Sequence, residues 1–127
     1  MKYYVLLLTF VSSIVFLSCT KDESDGVQVR FINNTNADIR DISVNNLPIG
    51  DMKNGETTEY YKFDAFGTDT GMPDVDFTGT VGDKRVKSTS VFYWCGTEKS
   101  NLDAGNYTVR VTLSIYNNQQ YFTLRYQ

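Results

Sequence analysis

The residues best equipped for chemistry stand in one segment, Asp64-Ala65-Phe66-Gly67-Thr68-Asp69-Thr70-Gly71-Met72-Pro73-Asp74-Val75-Asp76, which sets four carboxylates in a stretch broken by Gly and Pro. Calcium takes about six to eight oxygen ligands, and a loop of this kind supplies carboxylates and backbone carbonyls together. Asp69, Asp74 and Asp76 are therefore candidate ligands of a weak calcium site. Their spacing is not that of an EF-hand, and a solvated acidic loop accounts for the same residues. Asp74 and Asp76 invite a second reading. Two apart on a strand, they would share one face at roughly 6 to 7 Å, within the range of the carboxylate pairs that hydrolyse glycosides. Such pairs are also commonplace on solvent faces, and no substrate cleft can be read around this one. No catalytic residue is expected, and the sequence predicts a protein that is not an enzyme.

Composition narrows the choice further. The chain has no histidine, which excludes the Ser-His-Asp triad, the Cys-His pair and every histidine-containing zinc site. With 15 acidic and 12 basic side chains its formal net charge is −3. Nucleic acid is not expected as a partner, because neutralising phosphates needs a Lys/Arg stripe. Lys84-Arg85-Val86-Lys87 is a small basic cluster, and charged residues that block strand addition at a sheet edge explain it better than recognition of an anion. No cofactor is expected.

The N-terminus reads as an address. Lys2 precedes a short apolar run, Val5 to Leu17, in which Thr9, Ser12 and Ser13 are polar. That suits the core of a signal peptide, whereas a membrane-spanning helix needs about 20 apolar residues. The run ends in Phe16-Leu17-Ser18-Cys19, which resembles the lipobox of bacterial lipoproteins. The resemblance implies a cleaved signal peptide over residues 1–18 and lipid on Cys19. Residues 19–26 are then the lipidated cysteine and a charged tether, in which Lys21, Asp22 and Glu23 resemble the export signal of Bacteroidota surface lipoproteins. That implies a protein lipid-anchored in the outer membrane and facing the cell exterior. A solvated linker explains the same three residues and would leave the domain facing the periplasm. With Cys19 lipidated, Cys95 has no intrachain partner, and it is either a buried small hydrophobe or a reactive thiol.

Residues 27–127 make one domain, and its hydrophobic pattern has period two. Val27, Val29 and Phe31 alternate with polar residues, as do Ile42 and Val44. Thr57 to Phe63, Asp76 to Val81, Arg85 to Cys95, Tyr107 to Ile115 and Phe122 to Tyr126 read as further strands. Turns fall at Asn33-Asn34-Thr35-Asn36, Asn45-Asn46, Pro48-Ile49-Gly50, Asn54-Gly55, Gly82-Asp83 and Asn117-Asn118. The sequence thus predicts an all-β fold, an antiparallel immunoglobulin-like β-sandwich of about seven strands, with a small closed barrel as the alternative. The first strand ending in Asn-Asn-Thr, the segment Ile49-Gly50-Asp51-Met52-Lys53-Asn54-Gly55-Glu56-Thr57-Thr58-Glu59-Tyr60 and the segment Ala104-Gly105-Asn106-Tyr107-Thr108-Val109 resemble small uncharacterised β-sandwich lipoproteins of Bacteroidota. Those motifs are structural, and the resemblance carries no site residues.

Val91-Phe92-Tyr93-Trp94-Cys95 is apolar on both strand faces. If even-numbered residues pack inward, Val86, Phe92 and Trp94 belong to the core, and Val91 and Tyr93 are displayed as candidate ligand-binding residues. The opposite register displays Phe92 and Trp94. Aromatic residues on a flat sheet suit a glycan or a protein partner. The expectation is a lipid-anchored cell-surface module, non-catalytic, that binds a glycan or protein ligand or serves the envelope as an accessory. The alternative is a structural envelope protein that assembles through its sheet edges.

Overall fold

A computed structural model of the protein describes residues 26–88 and 98–127. Eleven strands make up all the regular structure of those residues: β1 (Val27–Asn33), β2 (Ile39–Val44), β3 (Leu47–Met52), β4 (Tyr61–Phe63), β5 (Gly67–Asp69), β6 (Met72–Pro73), β7 (Phe77–Val81), β8 (Lys84–Lys87), β9 (Lys99–Asn101), β10 (Gly105–Tyr116) and β11 (Gln119–Tyr126). They form a first sheet in the order β11-β10-β1-β4, a second in the order β3-β2-β7-β8 and a small third in the order β6-β5-β9. The fold is all-β and sandwich-like, as the period-two pattern predicts, but its described residues form eleven strands in three sheets rather than the seven expected, four of them only two or three residues long. Among the described residues no helix is long and apolar enough to cross a membrane.

One core joins the layers. Val27, Val29 and Phe31 of β1, Val109 and Val111 of β10, and Phe122 and Leu124 of β11 meet Ile39, Ile42, Val44, Met52, Phe77 and Val86 of the second sheet. Phenylalanines run through it as a chain of ring contacts. Phe63 meets Phe66 at 5.1 Å, Phe31 meets Phe77 at 5.6 Å and Phe77 meets Phe122 at 5.0 Å, tilted or edge-on as ring quadrupoles prefer. Tyr61 adds a polar tie between the layers, its hydroxyl donating to the Ile49 carbonyl at 3.2 Å.

The expected antiparallel order fails at one pair. β1 lies parallel to β10, with Val27 opposite Gly105 and Asn33 opposite Val111. Alternation along a strand decides which face is buried and says nothing about the direction of its neighbour. Pro48-Ile49-Gly50, read as a turn, lies inside β3. β3 is an edge strand with an irregular register, where a missing N–H costs no ladder bond. Of Thr57 to Phe63 only Tyr61–Phe63 is strand, with Thr57 making an isolated bridge to Ile32. The strand beginning at Arg85 is described only as far as Ser88.

Several local features follow directly from residue type. Asn45-Asn46 and Asn117-Asn118 all have positive φ, between 49° and 67°, which two-residue type I′ hairpins require and Asn tolerates. Ile39 and Ile42 are both buried although three apart, because a bulge at Arg40-Asp41, with Asp41 at φ 50°, absorbs the extra residue. Opposite them Gly79 leaves the space they fill. A Cβ there would stand 2.5 Å from Ile39 Cγ2.

Thr70-Gly71 turns β5 into β6 with φ of 48° and 75°. A β-branched residue is strained in that region. Replacing Thr70 by Asn is expected to stabilise the domain by about 0.5–1 kcal/mol, visible as a rise of a few degrees in thermal melting. An unchanged or lower melting temperature would contradict the strain.

Candidate functional site

Register decides what the outer face of the first sheet displays. Val27, Val29, Phe31 and Asn33 of β1 are buried, which leaves Gln28, Arg30 and Ile32 on the other side. β10 sets Thr108 opposite Arg30 and Arg110 opposite Ile32. β11 sets Arg125 opposite Arg110 and Thr123 opposite Thr112, and β4 sets Lys62 opposite Gln28. Four cations therefore share this face. No Asp or Glu occurs anywhere in β1, β4, β10 or β11, although the chain as a whole is net negative.

The cations are held in different ways. Arg30 donates from Nε to Thr108 Oγ1 at 3.0 Å, and its guanidinium lies 5.1 Å from the centre of the Tyr60 ring, a cation–π contact. Arg110 and Arg125 are exposed and directly opposite each other across two antiparallel strands. Like charges in that position repel. Among the described residues none of the four cations makes an ion pair; Lys99 and Asp74 pair at 3.4 Å elsewhere. Hydroxyls lie beside the cations: Ser114 Oγ and Thr123 Oγ1 are 2.7 Å apart, and Tyr121 donates to Gln119 Oε1 at 2.8 Å. Guanidinium forks with hydroxyls beside them on a flat surface hold anions and hydroxylated ligands.

The residues singled out in the sequence are placed otherwise. Asp69 is 1% exposed, and its Oδ1 accepts the Glu98 N–H at 3.0 Å. Asp74 pairs with Lys99, and Asp76 is exposed. The structure does not bring the three together, and among the described residues no group of three or more carboxylates or cysteines could hold a metal ion. Asp74 and Asp76 precede β7 rather than lying in a strand, so the shared strand face considered for them is not formed. Cys19, Lys21, Asp22, Glu23, Val91, Tyr93 and Cys95 lie outside the described residues.

Sequence reading missed the cationic face because Arg30, Lys62, Arg110 and Arg125 are far apart along the chain. One signal was available: no acid follows Asp103, in a chain where acids outnumber bases. The chain matches no family model, no curated protein and no solved structure.

Proposed function

We propose that the chain is a lipid-anchored module of the outer membrane that faces the cell exterior, resembles the small β-sandwich lipoproteins of Bacteroidota, and binds a ligand without converting it. Its contact surface is the outer face of the first sheet. The observation that carries this reading is the set of Arg30, Lys62, Arg110 and Arg125 on one face of strands that hold no Asp or Glu, in an otherwise acidic chain. A set of cations that make no ion pair among the described residues favours an anionic or strongly hydrogen-bonding partner. The lipobox-like Phe16-Leu17-Ser18-Cys19 and the charged Lys21-Asp22-Glu23 support the address. The immunoglobulin-like description belongs with this proposal: two four-stranded sheets on one core favour it, and the parallel β1–β10 pair departs from it.

The rival reading, a structural protein assembling by edge pairing, finds less support. β3 carries Pro48 and two register shifts, and β8 carries Lys84, Arg85 and Lys87. Both are devices that oppose strand addition at the edges of the second sheet, and the edges of the first, β11 and β4, carry Arg125 and Lys62.

The test screens a lipid-free full chain, made by Cys19→Ala, against panels of glycans and envelope proteins. A ligand retained by that chain and lost on combining Arg110→Glu with Arg125→Glu is the expected result. A ligand retained equally by both chains would place the contact elsewhere. For the anchor, metabolic labelling with a fatty-acid analogue should mark the wild-type chain and leave Cys19→Ala unmarked. An unlabelled wild type would overturn the lipid anchor.

A further inference from the structure

We infer that the outer face of the first sheet is a binding site for an acidic polysaccharide whose sugar rings bear carboxylates, a polyuronate. The inference rests on the proposed role of this face and names its ligand class. Its basis is the arrangement of the cations. Arg125 and Arg110 are cross-strand neighbours, Arg30 lies one strand over and two residues back, and Lys62 lies one strand further and two residues further back. Neighbouring positions are about 5 to 8 Å apart by strand and residue spacing. The four form a diagonal stripe across every strand of the sheet, about 20 Å from end to end. A linear polymer with charges at regular intervals can touch each cation in turn.

Three further observations favour carboxylated sugar over other polyanions. First, three of the four cations are arginines, whose planar forks match a carboxylate with two parallel hydrogen bonds. Second, the stripe is flanked by Thr108, Thr112, Ser114 and Thr123, hydroxyls suited to the hydroxyls of sugar rings. Third, bases and lipids are poorly served. The ring nearest the middle of the stripe, Tyr60, has the Arg30 guanidinium 5.1 Å from its centre, which takes up one of the faces that an unpaired base would stack on. Ile32, half-buried, is the apolar residue among the cations, and the exposed Ile115 and Tyr116 stand at the far end of β10, so the stripe itself holds no anchor to insert into a bilayer. The net charge of −3 also opposes diffuse attraction to polyanions, so attraction must be local.

The stripe sets two neighbouring arginines in mutual repulsion. An anion between them relieves it, and so does a charge reversal. Arg110→Glu should therefore keep or raise the melting temperature while weakening binding, and loss of function cannot then be ascribed to unfolding.

The experiment is affinity electrophoresis of the full chain carrying Cys19→Ala, in gels containing polygalacturonate, neutral dextran, dextran sulfate or a single-stranded oligodeoxynucleotide. Polygalacturonate is expected to retard the chain most. Arg110→Glu with Arg125→Glu should weaken that retardation about tenfold or more, and Lys84→Glu, on the edge of the second sheet, should leave it unchanged. No retardation by polygalacturonate overturns the inference. So does stronger retardation by dextran sulfate or DNA, which would make the face a general polyanion surface. Retardation by neutral dextran alone, abolished by the double reversal, overturns the acidic ligand class and leaves the contact face standing. Retardation insensitive to the double reversal overturns both.

Discussion

Replacing Phe31 by Ala is expected to lower the stability of the domain to urea by about 3–5 kcal/mol, the cost of a phenylalanine-sized cavity in a core that cannot fully collapse. The position is unusually connected. Phe31 is fully buried, and its ring meets Phe63, Phe66 and Phe77, which belong to the first sheet, the approach to the third and the second. Removing it loosens three layers at once. Domains of this size are stable by about 5–15 kcal/mol, so the variant should sit close to unfolding at room temperature. Ile115, 72% exposed, provides the comparison, and Ile115→Ala should change stability by no more than about 0.5 kcal/mol. Similar losses for the two variants would mean that the sheets do not share one core.

The second large effect is expected at Asn33, a polar residue with no exposure at all. Its Nδ2 lies within 2.8 to 3.2 Å of the carbonyls of Ala37, Met52 and Lys53, and its Oδ1 accepts from the backbone N–H and the hydroxyl of Thr35. Its main chain exchanges bonds with the next loop, the N–H donating to Glu56 and the carbonyl accepting from Gly55. One side chain thus fastens the β1–β2 connection to the end of β3. Asn33→Ala leaves several buried groups without partners and should cost about 3 kcal/mol or more. Asn33→Asp is the sharper test. A carboxylate keeps the acceptor but faces three carbonyls without a donor. The protonated acid restores one donor, so burial and the carbonyls raise the folded-state pKa of this aspartate above its unfolded value. The sign follows: the stability deficit of Asn33→Asp relative to wild type should be largest near neutral pH and shrink as pH falls. A deficit independent of pH would show that the amide hydrogens are not needed there.

How much of this was legible in the sequence depends on what alternation can encode. Val27, Val29 and Phe31 announce a strand and its buried face, and the structure buries all three. Asn45-Asn46 and Asn117-Asn118 announce hairpins because few other residues accept positive φ. Direction and neighbour are not written in the period, so the parallel pairing of β1 with β10 could not be read. Strands of two or three residues, such as β5 and β6, are too short to show a period, and they passed for part of an acidic loop. Ile39 escaped because the bulge at Arg40-Asp41 breaks the alternation that would have marked it. The candidate site was hidden for the same reason as the topology, since each cation looks like an ordinary solvent-facing residue until the sheet order places the four side by side.

The parallel pair also bears on how the chain reaches its fold. Arg30 and Thr108 face each other from positions 78 residues apart, and the central strand of the first sheet acquires its β10 neighbour only when the last part of the chain exists. Contacts this distant are slow to form, because a long loop must close before they reward the closure. During synthesis Arg30 must wait for a partner made 78 residues later. A nascent chain shorter than about 105 residues lacks β10 and β11, leaving the inner side chains of β1 beside an incomplete sheet. Such a chain is slow to lock into a finished structure on the ribosome, and its first strands stay available to other partners until β10 arrives.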